Sequence, residues 1–213
     1  MLFVGFFIDL LPIIMEAKIL QHLSKDPLLK KALKAVEIQV SKPETTVYGS
    51  LLRSIISQQL SVKAAATIYG RFVDLFDSKT PNPALVLEKS AEELRAVGLS
   101  KQKSGYMHNI ASFAQEHDFD KMDWDSYTDE EIIKFLTQIK GVGVWTVQMI
   151  LMFTLERPDV LPTADLGIQQ AIQQLYGLEE TGKALLTKMK EIAAPWSPYQ
   201  TTACLYLWRW KDQ

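Results

Sequence analysis

Apolar residues recur along this chain at three- and four-residue spacing, the period of an amphipathic helix. Between residues 129 and 139 the apolar positions are Ile132, Ile133, Leu136 and Ile139, and the stretch opens with Asp129-Glu130-Glu131. One face is therefore apolar and the first turn is negative, as the helix dipole favours. The same reading predicts helices over 15–23, 27–36, 47–56, 62–76, 82–87, 91–97, 101–117, 129–139, 144–155, 166–176, 182–192 and 198–210. Ser90 ahead of Ala91-Glu92-Glu93 and Thr128 ahead of Asp129-Glu130-Glu131 are capping-box starts, in which hydroxyl and carboxylate satisfy each other's backbone N–H groups. The nine prolines and ten glycines fall mostly between these stretches, and no run of alternating β-branched residues is bounded by hairpin turns. The predicted class is all-α.

Two of the helices are joined by Lys140-Gly141-Val142-Gly143-Val144. Glycines at 141 and 143 let a tight turn take positive φ and let the backbone approach another surface without a Cβ in the way. The helix restarting at Val144 has unpaired N–H groups at its first turn, a position suited to a phosphate. Further on, Leu161-Pro162-Thr163-Ala164-Asp165 precedes the helix that begins at Leu166, and Pro162 disfavours helix in the residue before it. Asp165 has two readings: an N-cap that accepts a backbone N–H, and a carboxylate available for chemistry.

Charge narrows the choice of partner. With 23 basic and 25 acidic side chains the net charge is −2, so the chain has no overall basic surplus for nucleic acid. Any such binding would use a local face of Arg53, Lys63, Lys101, Lys103 and Lys140 together with helix N-termini; otherwise these are solvated helix positions. The single cysteine, Cys204, excludes an intrachain disulfide and a four-cysteine metal or cluster site, and it lies in an apolar helical stretch as a buried thiol. His22, His108 and His117 are scattered, so no transition-metal site is expected. Residues 1–14 are mostly apolar, lack a basic n-region, contain Asp9 and Pro12, and are shorter than the ~20 residues of a membrane span; they are expected to form an extension ahead of a domain covering 15–213.

Several motifs occur in a fixed order: Leu51 to Ala65 with Ser57-Gln58-Gln59-Leu60-Ser61 at its centre, Leu94 to Lys103, the glycine hairpin, the Asp165 segment, Pro195-Trp196-Ser197-Pro198-Tyr199, and Tyr206-Leu207-Trp208-Arg209. This set, over about residues 45 to 210, resembles the helix-hairpin-helix (HhH-GPD) DNA glycosylase superfamily, in the branch of 3-methyladenine DNA glycosylase II. The resemblance implies two helical lobes flanking a DNA-binding active-site cleft, one of about 47–160 and the other of 15–46 plus 161–213. It implies a monofunctional glycosylase that hydrolyses the N-glycosidic bond of alkylated purines, 3-methyladenine and 7-methylguanine, by base flipping in duplex DNA, and so starts base excision repair.

The roles implied for individual residues follow the motifs. Asp165 is the catalytic carboxylate. Trp145 stands where strand-cleaving branches place a Schiff-base lysine, so water is the expected nucleophile and no AP-lyase activity is expected. Trp145, Trp208 and Met149 would line the base pocket, the two indoles attracting cationic bases. Gln59 and Leu60 would be the DNA wedge, the alternative being a capped helix junction with Leu60 buried. Lys140, Gly141, Val142, Gly143 and Val144 would bind the DNA backbone, and main-chain carbonyls of Thr137, Ile139 and Val142 would hold a structural Na+ or K+. No cofactor is required and no iron–sulfur cluster can be held. Damaged duplex DNA is the expected partner, with no membrane, a monomeric state, and a cytoplasmic (bacterial nucleoid) or eukaryotic nuclear location. Two departures bear on substrate range: Gln200 stands where relatives often carry arginine, and Met149 where some carry an aromatic. The other readings are a glycosylase for a deaminated or oxidised base, and a noncatalytic hairpin module that only binds DNA.

Overall fold

The computed structural model describes residues 17–38 and 46–212, so the extension expected at 1–14 lies outside the described residues. The described chain forms α1 (Ala17–Leu23), α2 (Leu29–Ala35), α3 (Val47–Ser57), α4 (Val62–Val73), α5 (Pro83–Glu88), α6 (Ala91–Ala96), α7 (Lys101–Glu116), α8 (Asp129–Leu136), α9 (Val144–Phe153), α10 (Leu166–Tyr176), α11 (Gly182–Ala193) and α12 (Gln200–Lys211). Short 3-10 turns occur at Phe119–Lys121, Trp124–Ser126 and Ala194–Trp196. No strand occurs among the described residues, and no described helix is long and apolar enough to cross a membrane. The class is all-α.

Seven of the described helix starts are set by side chains. Thr46, Ser61, Asn82, Ser90, Ser100, Thr128 and Asp165 each accept a backbone N–H from the first turn that follows, and both expected capping boxes are formed. Each such cap contributes about 0.5–2 kcal/mol. Helix ends fall earlier than the apolar period suggests. After Val73 and after Leu136 the chain continues through i−3 bonds, Phe76 N–H to Val73 and Ile139 N–H to Leu136, so the period persists while the backbone tightens into a 3-10 turn.

The described residues divide into two compact units, 46–150 and 17–38 with 151–212, and the division falls within α9. In the first unit α3, α5 and α6 pack on α7, and α4 packs on α3. Leu51, Leu52, Ile55, Met107 and Ile110 are fully buried there. In the second, α12 packs on α10 and α2, and α11 on α10. Leu29, Ala32, Ile168, Ile172, Cys204 and Leu207 form its core. A polar tie completes this unit: Asp26 accepts from Leu28 and Leu29 N–H, from the Tyr176 hydroxyl and from the Trp196 indole at 3.0 Å.

Candidate active site and nucleic-acid interface

Asp165 is the N-cap of α10 and is 7% exposed. Its backbone is extended, at φ −74 and ψ 120, which turns the carboxylate back over the helix start. Oδ1 accepts the Ile168 N–H at 2.8 Å and the Trp208 indole N–H at 2.8 Å, so two donors from two helices set the plane of the carboxylate. Trp208 is 5% exposed and lies nearly parallel to Phe153, with ring centroids 6.1 Å apart. Gly167 makes room for this pair. A Cβ there would lie 3.0 Å from Asp165 Oδ1 and 3.0 Å from Trp208 Cδ1, tighter than ordinary contact. Cys204 is buried against the same region; burial first, and the Asp165 carboxylate second, push its thiol well above the ordinary value, which suits a packed thiol and not a nucleophile.

The hairpin runs from Thr137 to Gly143 between α8 and α9. Gly141 has φ +105, and a Cβ on it would meet the Tyr106 ring at 2.4 Å, so both conformation and close packing demand glycine. Gly143 differs from the expectation: its φ is not positive, and its missing Cβ faces open space. It leaves the backbone bare without being needed for the turn. Val147 N–H bonds to Gly143, so the N–H groups of Val144, Trp145 and Thr146 precede the first intrahelical bond of α9. Val144 is 49% exposed beside them. The hairpin rests on α7, because Asn109 Nδ2 donates to the Lys140 carbonyl at 3.3 Å and Tyr106 fills the space under Gly141.

The turn between α3 and α4 is four residues long, Gln58 to Ser61. Gln59 takes the left-handed conformation at φ +58 with its side chain exposed, and Leu60 is half-buried. For a residue with a Cβ this conformation costs about 1–2 kcal/mol. Gln58 Nε2 donates to the Gly141 carbonyl at 3.4 Å, linking the turn to the hairpin. Of the five basic residues considered from sequence, Lys63, Lys101 and Lys140 are exposed. Arg53 lies over the Tyr69 ring at 4.6 Å, and Lys103 is turned inward onto the carbonyls of Ile56 and Gln58.

In this chain a helix–hairpin–helix with a backbone-bare turn is followed by a capped, buried aspartate at the next helix start. Residues 52–196 match the HhH-GPD superfamily of base excision DNA repair proteins. The chain belongs to this superfamily. DNA-3-methyladenine glycosylase 1 of Schizosaccharomyces pombe is 37% identical over 165 residues, covering 76% of this chain and 71% of that protein. Among solved structures, a DNA-3-methyladenine glycosidase from Bacillus halodurans superposes with a TM-score of 0.77 at 34% identity, covering 93% of this chain and 90% of that one. The S. pombe 3-methyladenine DNA glycosylase in complex with abasic DNA gives a TM-score of 0.78 at 34% identity, covering 91% and 96%.

In this HhH-GPD chain the Asp165 and Trp208 side chains meet directly, whereas Trp145 and Met149 lie on the part of α9 that belongs to the other compact unit. Trp145 is half-buried and Met149 is 1% exposed. Trp196 and Tyr206 are buried packing residues, and Tyr199 meets His22 edge to face. Gln200 serves the fold: its side chain donates to the Ala193 carbonyl at 3.1 Å and its N–H to Asp159 at 3.2 Å. Among the described residues no group of three or more His, Cys, Asp or Glu side chains could hold a metal ion. Sequence reasoning passed over Gly167, although a glycine in the first turn of a helix is disfavoured by up to ~1 kcal/mol against alanine and so points to a packing need.

Proposed function

We propose that this protein is a monofunctional DNA glycosylase acting as a monomer on duplex DNA, releasing alkylated purines such as 3-methyladenine and 7-methylguanine. The observation that carries the reading is the Asp165 carboxylate, buried and fixed at Oδ1 by the Ile168 and Trp208 N–H groups. Breaking the C1′–N bond sends its electron pair to the leaving base and leaves oxocarbenium character on the sugar. A preoriented carboxylate stabilises that charge without reorganising, and it can accept a proton from the water whose oxygen forms the new bond to C1′. An alkylated base that is already cationic departs as a neutral molecule, so no second acid is needed to protonate it. The similarity to proteins named as 3-methyladenine glycosylases supports this substrate class.

Water is the nucleophile in this reading because Trp145 occupies the place where lyase branches carry lysine, and an indole cannot form a Schiff base. Trp145, Met149 and Trp208 are the residues this reading assigns to the base, Gln59 and Leu60 would fill the gap it leaves, and the backbone from Lys140 to Val144 would hold a phosphate. The carbonyls of Thr137, Ile139 and Val142 suit a monovalent cation: they are neutral oxygen donors, and Thr137 caps the C-terminal, negative end of α8. Ile139 already accepts the Val142 N–H at 3.0 Å, which leaves its second lone pair for an ion.

The test is chromatography of bases released from methylated duplex DNA by the wild type and by Asp165→Asn, with no strand-cleaving reagent present. Free 3-methyladenine or 7-methylguanine from the wild type alone, with both strands intact, is the expected result. Strand cleavage by the wild type would overturn the monofunctional assignment, and base release by Asp165→Asn at the wild-type rate would remove Asp165 from the chemistry.

A further inference from the structure

Lys103 reads from sequence as one more solvent-facing charge, yet it is half-buried, and its ammonium donates to the Ile56 carbonyl at 2.9 Å and the Gln58 carbonyl at 2.6 Å. Both acceptors lie at the C-terminal end of α3, where carbonyls lack intrahelical partners and the helix dipole is negative. The lysine itself sits in the first turn of α7, the positive end of its own helix, so its charge is matched by the neighbouring helix and not by its own. Burial pushes its pKa below the ordinary 10.5, and the carbonyl bonds are what suit an ammonium to that place.

The residue directly after the Gln58 carbonyl is Gln59, left-handed and exposed. The turn is held at its other points as well: Leu60 N–H bonds to Ser57 at 3.2 Å, Ser61 caps α4, and Gln58 Nε2 reaches the hairpin at Gly141. Helix α7 therefore supports both elements, the turn through Lys103 and the hairpin through Tyr106 and Asn109. We propose that Lys103 is the positioning residue of the DNA wedge, holding the peptide ahead of Gln59 so that the Gln59 side chain enters the base stack in a fixed orientation, and that it does not contact phosphate. This rests on the reading of Gln59 as the wedge of a glycosylase.

The experiment compares single-turnover base release from a lesion paired in duplex DNA with release of the same lesion placed opposite an abasic site, where less stacking has to be broken. Lys103→Met is expected to lose on the order of 10–100-fold on the paired lesion, as misplacement of about 1 Å does, and markedly less on the unpaired one. The double variant Lys103→Met/Gln59→Ala should lose no more than Gln59→Ala alone, since both act through one loop. The salt dependence of DNA binding should keep its slope; a phosphate contact would lower it by about 1. Should Lys103→Met not fold, Lys103→Gln, which keeps N–H donors without the charge, is read by the same ratio and cycle. Equal loss on both lesions, additive loss in the double variant, or a reduced salt slope overturns the proposal. Silence of the wild type on both substrates would instead remove the glycosylase reading, and a Gln59→Ala variant that treats the two lesions alike would remove the wedge; either takes the proposal with it.

Discussion

Replacing Trp208 with phenylalanine separates two things an indole can do beside Asp165. Phenylalanine keeps an aromatic face and most of the packing against Phe153, but it has no N–H to donate to Oδ1 at 2.8 Å. A hydrogen bond to a charged acceptor contributes about 1.5–3 kcal/mol. If that bond sets the carboxylate under the sugar, base release slows by roughly 10–100-fold, at about 1.4 kcal/mol for each factor of ten. The smaller ring also loosens a site where Trp208 is 5% exposed, so the combined loss of stability is about 2–4 kcal/mol. For a chain of this size that is a fall in Tm of roughly 4–16 °C. The assay is single-turnover release of a cationic and of a neutral lesion, beside a thermal melt. Loss of rate on both lesions at unchanged DNA affinity is the expected outcome. If Trp208 acts through its face, the cationic lesion alone should suffer, and by only a part of the ~0.5–2 kcal/mol of a cation–π contact, because the phenyl ring retains the rest. A lowered Tm with wild-type rates on both lesions would refute the argument and leave the bond purely structural.

Gly141→Ala should destabilise the protein by more than about 2 kcal/mol, because it combines φ +105 with a Cβ 2.4 Å from the Tyr106 ring; an unchanged denaturant midpoint would contradict this. Gln59→Gly should raise stability by roughly 0.5–1 kcal/mol, the relief of a left-handed backbone less the added freedom of the unfolded chain, while slowing release of a paired lesion. Parallel melts and base-release assays decide this, and a variant that is both more stable and fully active would mean the Gln59 side chain is not used. Burial alone would raise the Asp26 carboxyl, but bonds from Tyr176, Leu29, Trp196 and Leu28 outweigh it and hold the group below its ordinary 3.8. A depressed folded-state pKa contributes stability that is fully present above the unfolded value and is lost as pH falls through the folded one. Stability measured from pH 6 downward should therefore drop below about pH 4, and Asp26→Asn should flatten that part of the curve; parallel acid profiles for the two proteins would contradict the assignment.

Much of the helical layout is legible because two local signals coincide. Apolar period marks the helix bodies, and a hydroxyl, amide or carboxylate one residue ahead marks the starts, as at Ser90, Thr128 and Asp165. The ends are harder, because Phe76 and Ile139 continue the apolar period on 3-10 geometry that a periodicity argument cannot distinguish. Site geometry is less visible for a different reason. Lys103 looks solvated in a polar first turn, and its acceptors at Ile56 and Gln58 lie 47 and 45 residues earlier in the chain. The Trp208 N–H likewise finds Asp165 across 43 residues, so a residue placed by resemblance as a stacking face also turns out to be a donor. Gly141 and Gly143 look equivalent in sequence, and what distinguishes them is the positive φ of Gly141 together with the Tyr106 ring that α7 brings under the turn.

The cap and the proposed chemistry at Asp165 are supported by the same atom, and this determines which substitution can separate them. Ile168 and Trp208 both donate to Oδ1, so whatever replaces the aspartate must keep an acceptor oxygen there or both bonds fail together. Alanine would remove the cap, orphan the indole N–H and discharge the site in one step, so a loss of activity would say nothing about which of these mattered. Asparagine keeps a carbonyl oxygen able to take both N–H bonds and is as good a helix cap as aspartate. What it removes is the charge, with the assistance that charge lends the two hydrogen bonds, roughly half their strength, and the second oxygen, which becomes an NH2 donor unable to take a proton from water. A folded Asp165→Asn protein that binds DNA normally yet releases no base would therefore report on the ionised carboxylate, its charge and its proton acceptance together, because α10 would still start at Leu166 and Trp208 would still be held in place.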